Sequence, residues 1–330
     1  MSTEKRKTEH IRICLEHDVE FRKTNGFENY QFTHNALPEL NWEDIDISTE
    51  FLGREFRSPF FIEAVTGGTK TAEKINRNLA KAAEDLGIGM GVGSQRAMIE
   101  DPHLTSTYTV KETSPSVFLV GNIGASHIME FTVEKIMDAV EKIKADALAI
   151  HINPAQEVSQ EGGFRNWNGV LAQIKTVCRS LDIPVIVKEV GNGISAEVAK
   201  KLASAGVAAI DVAGAGGTNW VKVDSIMGKT PFQNFYEWGI PTAESLEECH
   251  RAVKIPIIAS GGIRNGIEAA KAISMGASLA GLALPLLKPA TESADAVKKV
   301  LEQLILELKT TMLLTSSGSL KELSGKAVKI

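Results

Sequence analysis

The chain has 330 residues, with 36 basic and 41 acidic side chains, a formal charge of −5, 43% hydrophobic and 6% aromatic residues. This composition excludes disorder, collagen and coiled coil, and the missing basic excess argues against general nucleic-acid binding. The three cysteines, Cys14, Cys178 and Cys249, are odd in number and widely spaced. They suit neither a disulfide framework nor a zinc site, and they read as reduced thiols of a cytoplasmic protein. The opening MSTEKRKTEHIR lacks the apolar segment of a secretory leader. The longest uncharged stretches, residues 113–129 and 272–287, fall short of the roughly 18 residues of a membrane span and are broken by Gly, Ser or Pro.

Residues 1–58 read as an N-terminal extension, with a short helical pattern (Ile11, Leu15, Val19) and then a polar extended stretch. Short apolar runs follow at residues 59–66, 87–94, 116–124, 145–153, 183–190, 208–214, 255–262 and 279–285. Their mean spacing is roughly 31 residues, the size of a βα unit. Amphipathic helical patterns lie between them. Residues 71–86 align Ile75, Leu79, Ala82 and Leu86, and residues 133–145 align Ile136, Val140 and Ile143. Residues 195–205, 243–253 and 266–275 behave alike. Continuous rather than alternating apolar runs suit strands buried on both faces. Eight such units predict an α/β fold, a (β/α)8 TIM barrel over residues 59–330, with a C-terminal helix and a Ser/Gly-rich tail. A doubly wound sheet usually has fewer strands and reverses direction. The longest connection, residues 212–241, follows a strand at its C-terminal end and reads as a lid. No second domain or repeat is visible.

In such barrels chemistry sits at the C-terminal ends of the strands. Here those ends carry Thr66-Gly67-Gly68, Ser94-Gln95-Arg96, Gly121-Asn122, His151 with Asn153, Gln156 and Glu157, Lys188-Glu189, Gly216-Gly217-Thr218, Ser260-Gly261-Gly262 with Arg264, and Gly281 with Ala283. Glycines after the seventh and eighth strands suit a phosphate bound against backbone N–H groups, although a tight turn would also use them. Lys188, inside the apolar run IPVIVKEV, is costly unless paired with a carboxylate or facing an anionic cofactor. His151 and Asn153 share a strand face, and Glu157 could give one oxygen to Mg2+, leaving its other positions to water and phosphate. Arg6, Lys7 and His10, on residue pattern alone, suit a solvated basic terminus. The residues together describe a barrel enzyme with a phosphorylated cofactor, a second anion site and Mg2+.

The segments RKTEHI (6–11), AVTGG (64–68), GVGSQRA (91–97), GNIGA (121–125), HINPAQE (151–157), VKEVGNGIS (187–195), DVAGAGGTNW (211–220), ASGGIR (259–264) and GLALPLL (281–287) occur in order along nearly the whole chain. With them the chain resembles the flavin-dependent, type 2 isopentenyl-diphosphate isomerases. HINPAQE with GGTNW carries the specificity; GGIR alone is shared by many FMN barrels. The resemblance implies interconversion of isopentenyl and dimethylallyl diphosphate in isoprenoid biosynthesis. It implies reduced FMN as acid and base, Mg2+, and NADPH or NADH as reductant. It implies that Ala64, Val65, Thr66, Gly67, Ser94, Asn122, Lys188, Thr218, Gly262, Ile263, Arg264, Ala283 and Leu284 hold FMN. Arg6, Lys7, His10, Arg96, His151, Asn153, Gln156 and Trp220 would meet the substrate, Gln156 would act near the alkene, and Glu157 would bind Mg2+. The N-terminal helix would then fold over a site, its own or a neighbouring subunit's, in a homotetramer or homo-octamer. Ala213 stands where many members have Ser.

Three rival readings remain in view. An FMN-dependent 2-hydroxy-acid oxidase or dehydrogenase needs a His base on a late strand. The segment after the sixth strand has none, and His250 falls in a helical pattern. An IMP-dehydrogenase-like enzyme needs a nucleophilic Cys in a site loop, whereas all three cysteines lie in helical patterns. A non-catalytic flavin-binding barrel would have no use for Gln156, Glu157 or the N-terminal cluster.

Overall fold

The eight apolar runs become the eight strands of one closed parallel barrel. A computed structural model describes residues 3–228 and 231–330. The strands are β1 (Phe60–Ile62), β2 (Gly89–Gly91), β3 (Phe118–Gly124), β4 (Ala147–His151), β5 (Val185–Lys188), β6 (Ala209–Asp211), β7 (Ile257–Ser260) and β8 (Leu279–Leu282). Each pairs with the next, and β8 closes on β1 with Ala280 opposite Phe60 and Leu282 opposite Ile62. Nearly every strand residue is buried, because one face fills the barrel and the other meets the helices. The strands are mostly shorter than the apolar runs. The surplus residues, such as 63–66 and 212–214, bend into the C-terminal mouth.

The expected helices form at Lys70–Leu86, Val133–Lys142, Ala196–Ser204, Thr242–Ala252 and Gly266–Ser274. Several start on a side-chain cap. Thr69 accepts from Ala72 N at 3.0 Å and Asn265 from Glu268 N at 2.8 Å, each supplying a partner for an N–H that the helix leaves unpaired. A further helix, Val170–Ser180, links β4 to β5. Between β2 and β3 the repeat is irregular, with a short helix Arg96–Glu100 and 3-10 turns instead of a long helix. The connection after β6 is only partly a loop. It contains the helix Trp220–Gly228 and a 3-10 turn at Gln233–Phe235, while Lys229 and Thr230 lie outside the described residues.

The extension packs at both ends of the barrel. Its helix Thr3–Glu16 crosses the C-terminal mouth, and Val19 lies beyond its end. Its hairpin, Thr49–Phe51 with Arg54–Phe56, closes the opposite end. There Phe51, Phe56 and Phe118 meet edge to face with ring centres 5.5–6.3 Å apart. Phe56 also explains Gly89, where a Cβ would fall 2.8 Å from its ring. The chain ends are tied together by the antiparallel pair Tyr30–Gln31 with Val328–Lys329.

Most buried apolar residues form one core, but Ile13, Val19 and Val223 form a small second cluster. It joins the N-terminal helix to the helix Trp220–Gly228, so the cover over the mouth has its own hydrophobic anchor. Ile13→Ala will therefore open the cover without unfolding the barrel. We expect about 2 kcal/mol less protection in residues 3–16 and 220–228, read by hydrogen exchange, with the barrel helices unchanged.

Candidate active site

A cavity of about 680 Å³ occupies the mouth, and residues at the C-terminal ends of all eight strands line it. The parallel barrel makes this inevitable, since every strand ends on the same side. Two elements outside the repeat complete the wall: the helix Thr3–Glu16 and the helix Trp220–Gly228.

The floor is charged. Lys188 Nζ lies 3.0 Å from Asp211 Oδ2 and 3.5 Å from Glu63 Oε2, and it donates to the Glu189 carbonyl at 2.8 Å. Burial opposes its charge, but Asp211 and Glu63 hold Lys188 above the usual lysine range. Asp211 also accepts from Ser260 Oγ at 2.6 Å. Burial, with the adjacent Asp211, pushes the Glu63 carboxyl up to about 8. Glu189 accepts from three successive backbone N–H groups, yet burial still raises it to about 7.

One wall is basic. Arg6, Lys7 and Arg96 line the cavity with His127 and His151. Lys7 Nζ donates to the Ser94 carbonyl at 3.3 Å, and Arg6 is hydrogen bonded to Gln160. Burial and then Arg6 and Arg96 lower Lys7 to about 8. His151 shares Nδ1 with Asn122 Oδ1 at 2.8 Å, and burial drives it well below the usual histidine range. Burial, with Arg96, takes His127 down to about 4. An anion entering here meets a surplus of cationic and protonatable groups.

The third feature is a hydrogen-bonded hub around Asp224. Its Oδ2 accepts from Gln156 Nε2 and Gln160 Nε2, both at 2.8 Å, and its Oδ1 from His10 Nε2 at 2.9 Å. Asn153 Nδ2 donates to Gln156 Oε1 at 2.9 Å and to Glu157 Oε1 at 3.3 Å. The Gln156 amide is thus held at both ends. Glu157 Oε2 accepts from Phe164 N at 2.7 Å. His10 meets the edge of Trp220 with ring centres 5.3 Å apart.

Of the residues singled out above, Arg6, Lys7, His10, Ala64, Val65, Thr66, Ser94, Arg96 and Asn122 line the cavity, as do His151, Asn153, Gln156, Glu157, Lys188, Thr218, Trp220, Gly262, Arg264, Ala283 and Leu284. Gly67 and Ile263 do not. A Cβ on Gly67 would lie 2.1 Å from the Tyr108 ring, and Ile263 is buried in the core. The glycine loops also pack on one another, since a Cβ at Gly217 would lie 2.4 Å from Gly262 N. Arg264 is paired with Glu20. Asp224, Gln160, Glu63 and Asp211 were not found from sequence. Cys14 does line the cavity, but burial and Asp224 push its thiol up to about 12, which removes it as a nucleophile. His250 sits in the helix Thr242–Ala252, away from the lining.

The comparisons agree with this geometry. A family model described as FMN-dependent dehydrogenase matches residues 4–152 and 129–330. A solved mutant of the active chimera of (S)-mandelate dehydrogenase has a TM-score of 0.71 at 16% identity, covering 99% of this chain and 96% of that one. At that identity the likeness is of fold. Fold and site thus define a barrel of the FMN-dependent dehydrogenase class. Isopentenyl-diphosphate delta-isomerase of Methanothermobacter thermautotrophicus is 51% identical over 98% of this chain and 92% of its own length. That of Pyrococcus furiosus is 48% identical over 96% and 84%. The chain belongs to the isopentenyl-diphosphate delta-isomerase family.

The residues present fit FMN. Ser94 Oγ and Asn153 Oδ1 are buried at this mouth with no hydrogen-bond partner, and Lys188 supplies a fixed cation.

The lowered Lys7 predicts a pH limit on anion binding. Lys7 is charged below about 8 and loses its proton above it. Affinity for inorganic diphosphate, measured by calorimetry, will fall as pH rises through that value. Lys7→Gln will bind about tenfold more weakly at neutral pH and flatten the alkaline loss.

Proposed function

We propose that this protein interconverts isopentenyl diphosphate and dimethylallyl diphosphate by a 1,3-proton shift, as a step of isoprenoid biosynthesis. The observation that carries the reading is one cavity at the barrel mouth combining a basic wall, a floor with a buried lysine and a doubly held amide. Family membership supports it. Mg2+, a reductant such as NADPH or NADH, and assembly as a homo-oligomer in the cytoplasm come to the reading from the resemblance. Among the described residues no helix is long and apolar enough to cross a membrane.

In this reading Arg6, Lys7, Arg96 and His151 bind the diphosphate, with His151 gaining a proton as the anion arrives. Among the described residues no group of three or more His, Cys, Asp or Glu side chains could hold a metal. From the resemblance, Glu157 would be the protein's carboxylate ligand to Mg2+, and the diphosphate and water would complete the shell. Thr66, Ser94, Asn122, Lys188 and the Gly262–Arg264 turn would hold FMN. Reduced FMN, when bound, would supply an electron-rich ring able to serve as acid and base toward the alkene and to stabilise positive charge beside it. Lys188 offsets the negative charge of that reduced form. Gln156, fixed by Asp224 and Asn153, orients the group that gives or takes the proton. The two covering helices exclude water, which would otherwise capture a tertiary cationic carbon.

The 2-hydroxy-acid oxidase reading needs a free histidine base. Among the described residues the cavity histidines are His10, His127 and His151, from the N-terminal helix, the short helix Ala125–Ile128 after β3 and the end of β4, none of them a late strand. His10 is bonded to Asp224 and His151 to Asn122.

The test is anaerobic incubation with isopentenyl diphosphate, FMN, Mg2+ and NADPH in D2O, followed by NMR. Deuterated dimethylallyl diphosphate with only catalytic NADPH consumed is the expected result. No product despite bound, reduced flavin would overturn the reading. Gln156→Leu should lose about 10²-fold or more in kcat while still binding FMN. Glu157→Gln should raise the Mg2+ needed for half-maximal rate about tenfold or more; an unchanged Mg2+ profile sinks the metal assignment.

A further inference from the structure

The floor cluster contains more carboxylate than its lysine can neutralise. Glu63 and Asp211 are 5% and 1% exposed, and Lys188 is the cation between them. Neither Glu63 carboxyl oxygen has a hydrogen-bond partner, and Asp211 Oδ2 has only the Lys188 ammonium beside it. The two carboxyls lie against one ammonium, 3.0 Å and 3.5 Å from Lys188 Nζ. Strand geometry forces this contact: Glu63 follows β1, Lys188 ends β5 and Asp211 ends β6, and Lys188 and Asp211 are direct register partners. The other neighbours add no second cation. Ser260 from β7 bonds the far oxygen of Asp211, and Glu189 gives Lys188 a carbonyl, while its own buried carboxyl, held by three backbone N–H groups, is a further acid beside Lys188. His151, the register partner of Lys188 on β4, is kept neutral by burial. Gly281 on β8 leaves room for the carboxyl, since a Cβ there would lie 2.4 Å from Glu63 Oε1.

Two buried carboxylates sharing one ammonium repel, whereas a proton on one turns it into a donor and removes the excess charge. We propose that Glu63 is a positioning residue that holds one proton against Asp211, so that the Glu63–Asp211–Lys188 cluster is neutral beneath the cofactor. The inference rests on the flavin reading of this cavity. Its consequence is a link between flavin charge and Glu63. When a two-electron reductant such as dithionite makes the bound flavin anionic, the added charge strengthens the hold of Glu63 on its proton. Over the pH range where Glu63 is ionised beside oxidised flavin but protonated beside reduced flavin, reduction takes up one further proton from solvent per electron pair.

The experiment is the two-electron potential of the FMN-bound protein by dye equilibration, from neutral to alkaline pH. The pH slope of the wild type should steepen by one proton per electron pair on the alkaline side. Glu63→Gln should match the wild type at neutral pH and lack the steeper segment. A higher potential for Glu63→Gln at neutral pH would show that Glu63 was ionised there and would overturn the proposal, as would a wild type with no change of slope. Infrared spectroscopy of the wild-type protein, with isotopically labelled glutamate for assignment, reads the proton without a variant. A protonated glutamate carbonyl band that vanishes at alkaline pH is expected, and no such band at neutral pH overturns the proposal even if Glu63→Gln fails to fold. If the protein binds no FMN, the flavin reading fails on its own, while the band still decides where the proton is.

Discussion

An ammonium group at the mouth of an apolar barrel survives only beside a counter-charge, and Lys188 has Asp211 3.0 Å away. The rest of the site is arranged around that pair. Lys188 and Asp211 face each other across adjacent parallel strands, so the sheet ladder sets their separation. A one-residue slip would turn either side chain out among the helices. Ser260 from the next strand then orients Asp211. Three neighbouring strands thus fix one positive charge at one point of the floor. Removing a single partner of such a buried pair usually costs about 3–5 kcal/mol, so floor and fold are mutually dependent.

The opposite wall is organised by different means. Its cations come partly from the N-terminal helix, which belongs to no βα unit, and their mutual repulsion in a half-buried space would push that helix away. Two things keep it down. Ile13 and Val19 pack with Val223, and His10 bonds to Asp224. Asp224 is also the anchor for Gln156. A single buried carboxylate therefore ties the cover, which closes the cavity, to the amide proposed to act inside it. Closing the cover and orienting Gln156 are one structural event.

The barrel was legible because its physics is periodic. Strands buried on both faces must be continuously apolar, and eight such runs at βα spacing admit few other folds. Most site residues were legible because polar groups at the ends of buried strands are conspicuous. Asp224 was not, since it lies 68 residues from Gln156 in a connection read as loop, and nothing local announces that its partner is a glutamine. The surplus charge of the floor was hidden too. Glu63 lies inside the apolar run 59–66 and Asp211 inside the run 208–214, so each looks like a single polar residue in a strand until the closed barrel brings both to Lys188. Gly67 and Ile263 sit in motif segments but off the cavity lining, Gly67 against the Tyr108 ring and Ile263 in the core.

That an isomerase family should share a barrel with dehydrogenases follows from what each reaction asks of the protein. Hydroxy-acid oxidation needs a base free to take a hydroxyl proton. Here, among the described residues, no cavity histidine comes from a late strand: His10 lies on the N-terminal helix, His127 on the short helix after β3 and His151 at the end of β4. A proton shift along an unactivated alkene needs no such base from the chain. It needs anchorage for the charged end, an electron-rich partner for the carbon that becomes positive, and dryness. The basic wall and the covering helices supply the first and last of these, and Lys188 offers a place to hold the second. The departures from the plain βα repeat are therefore where this family's chemistry is written, and the repeat itself says only that a phosphorylated flavin can be seated at the mouth.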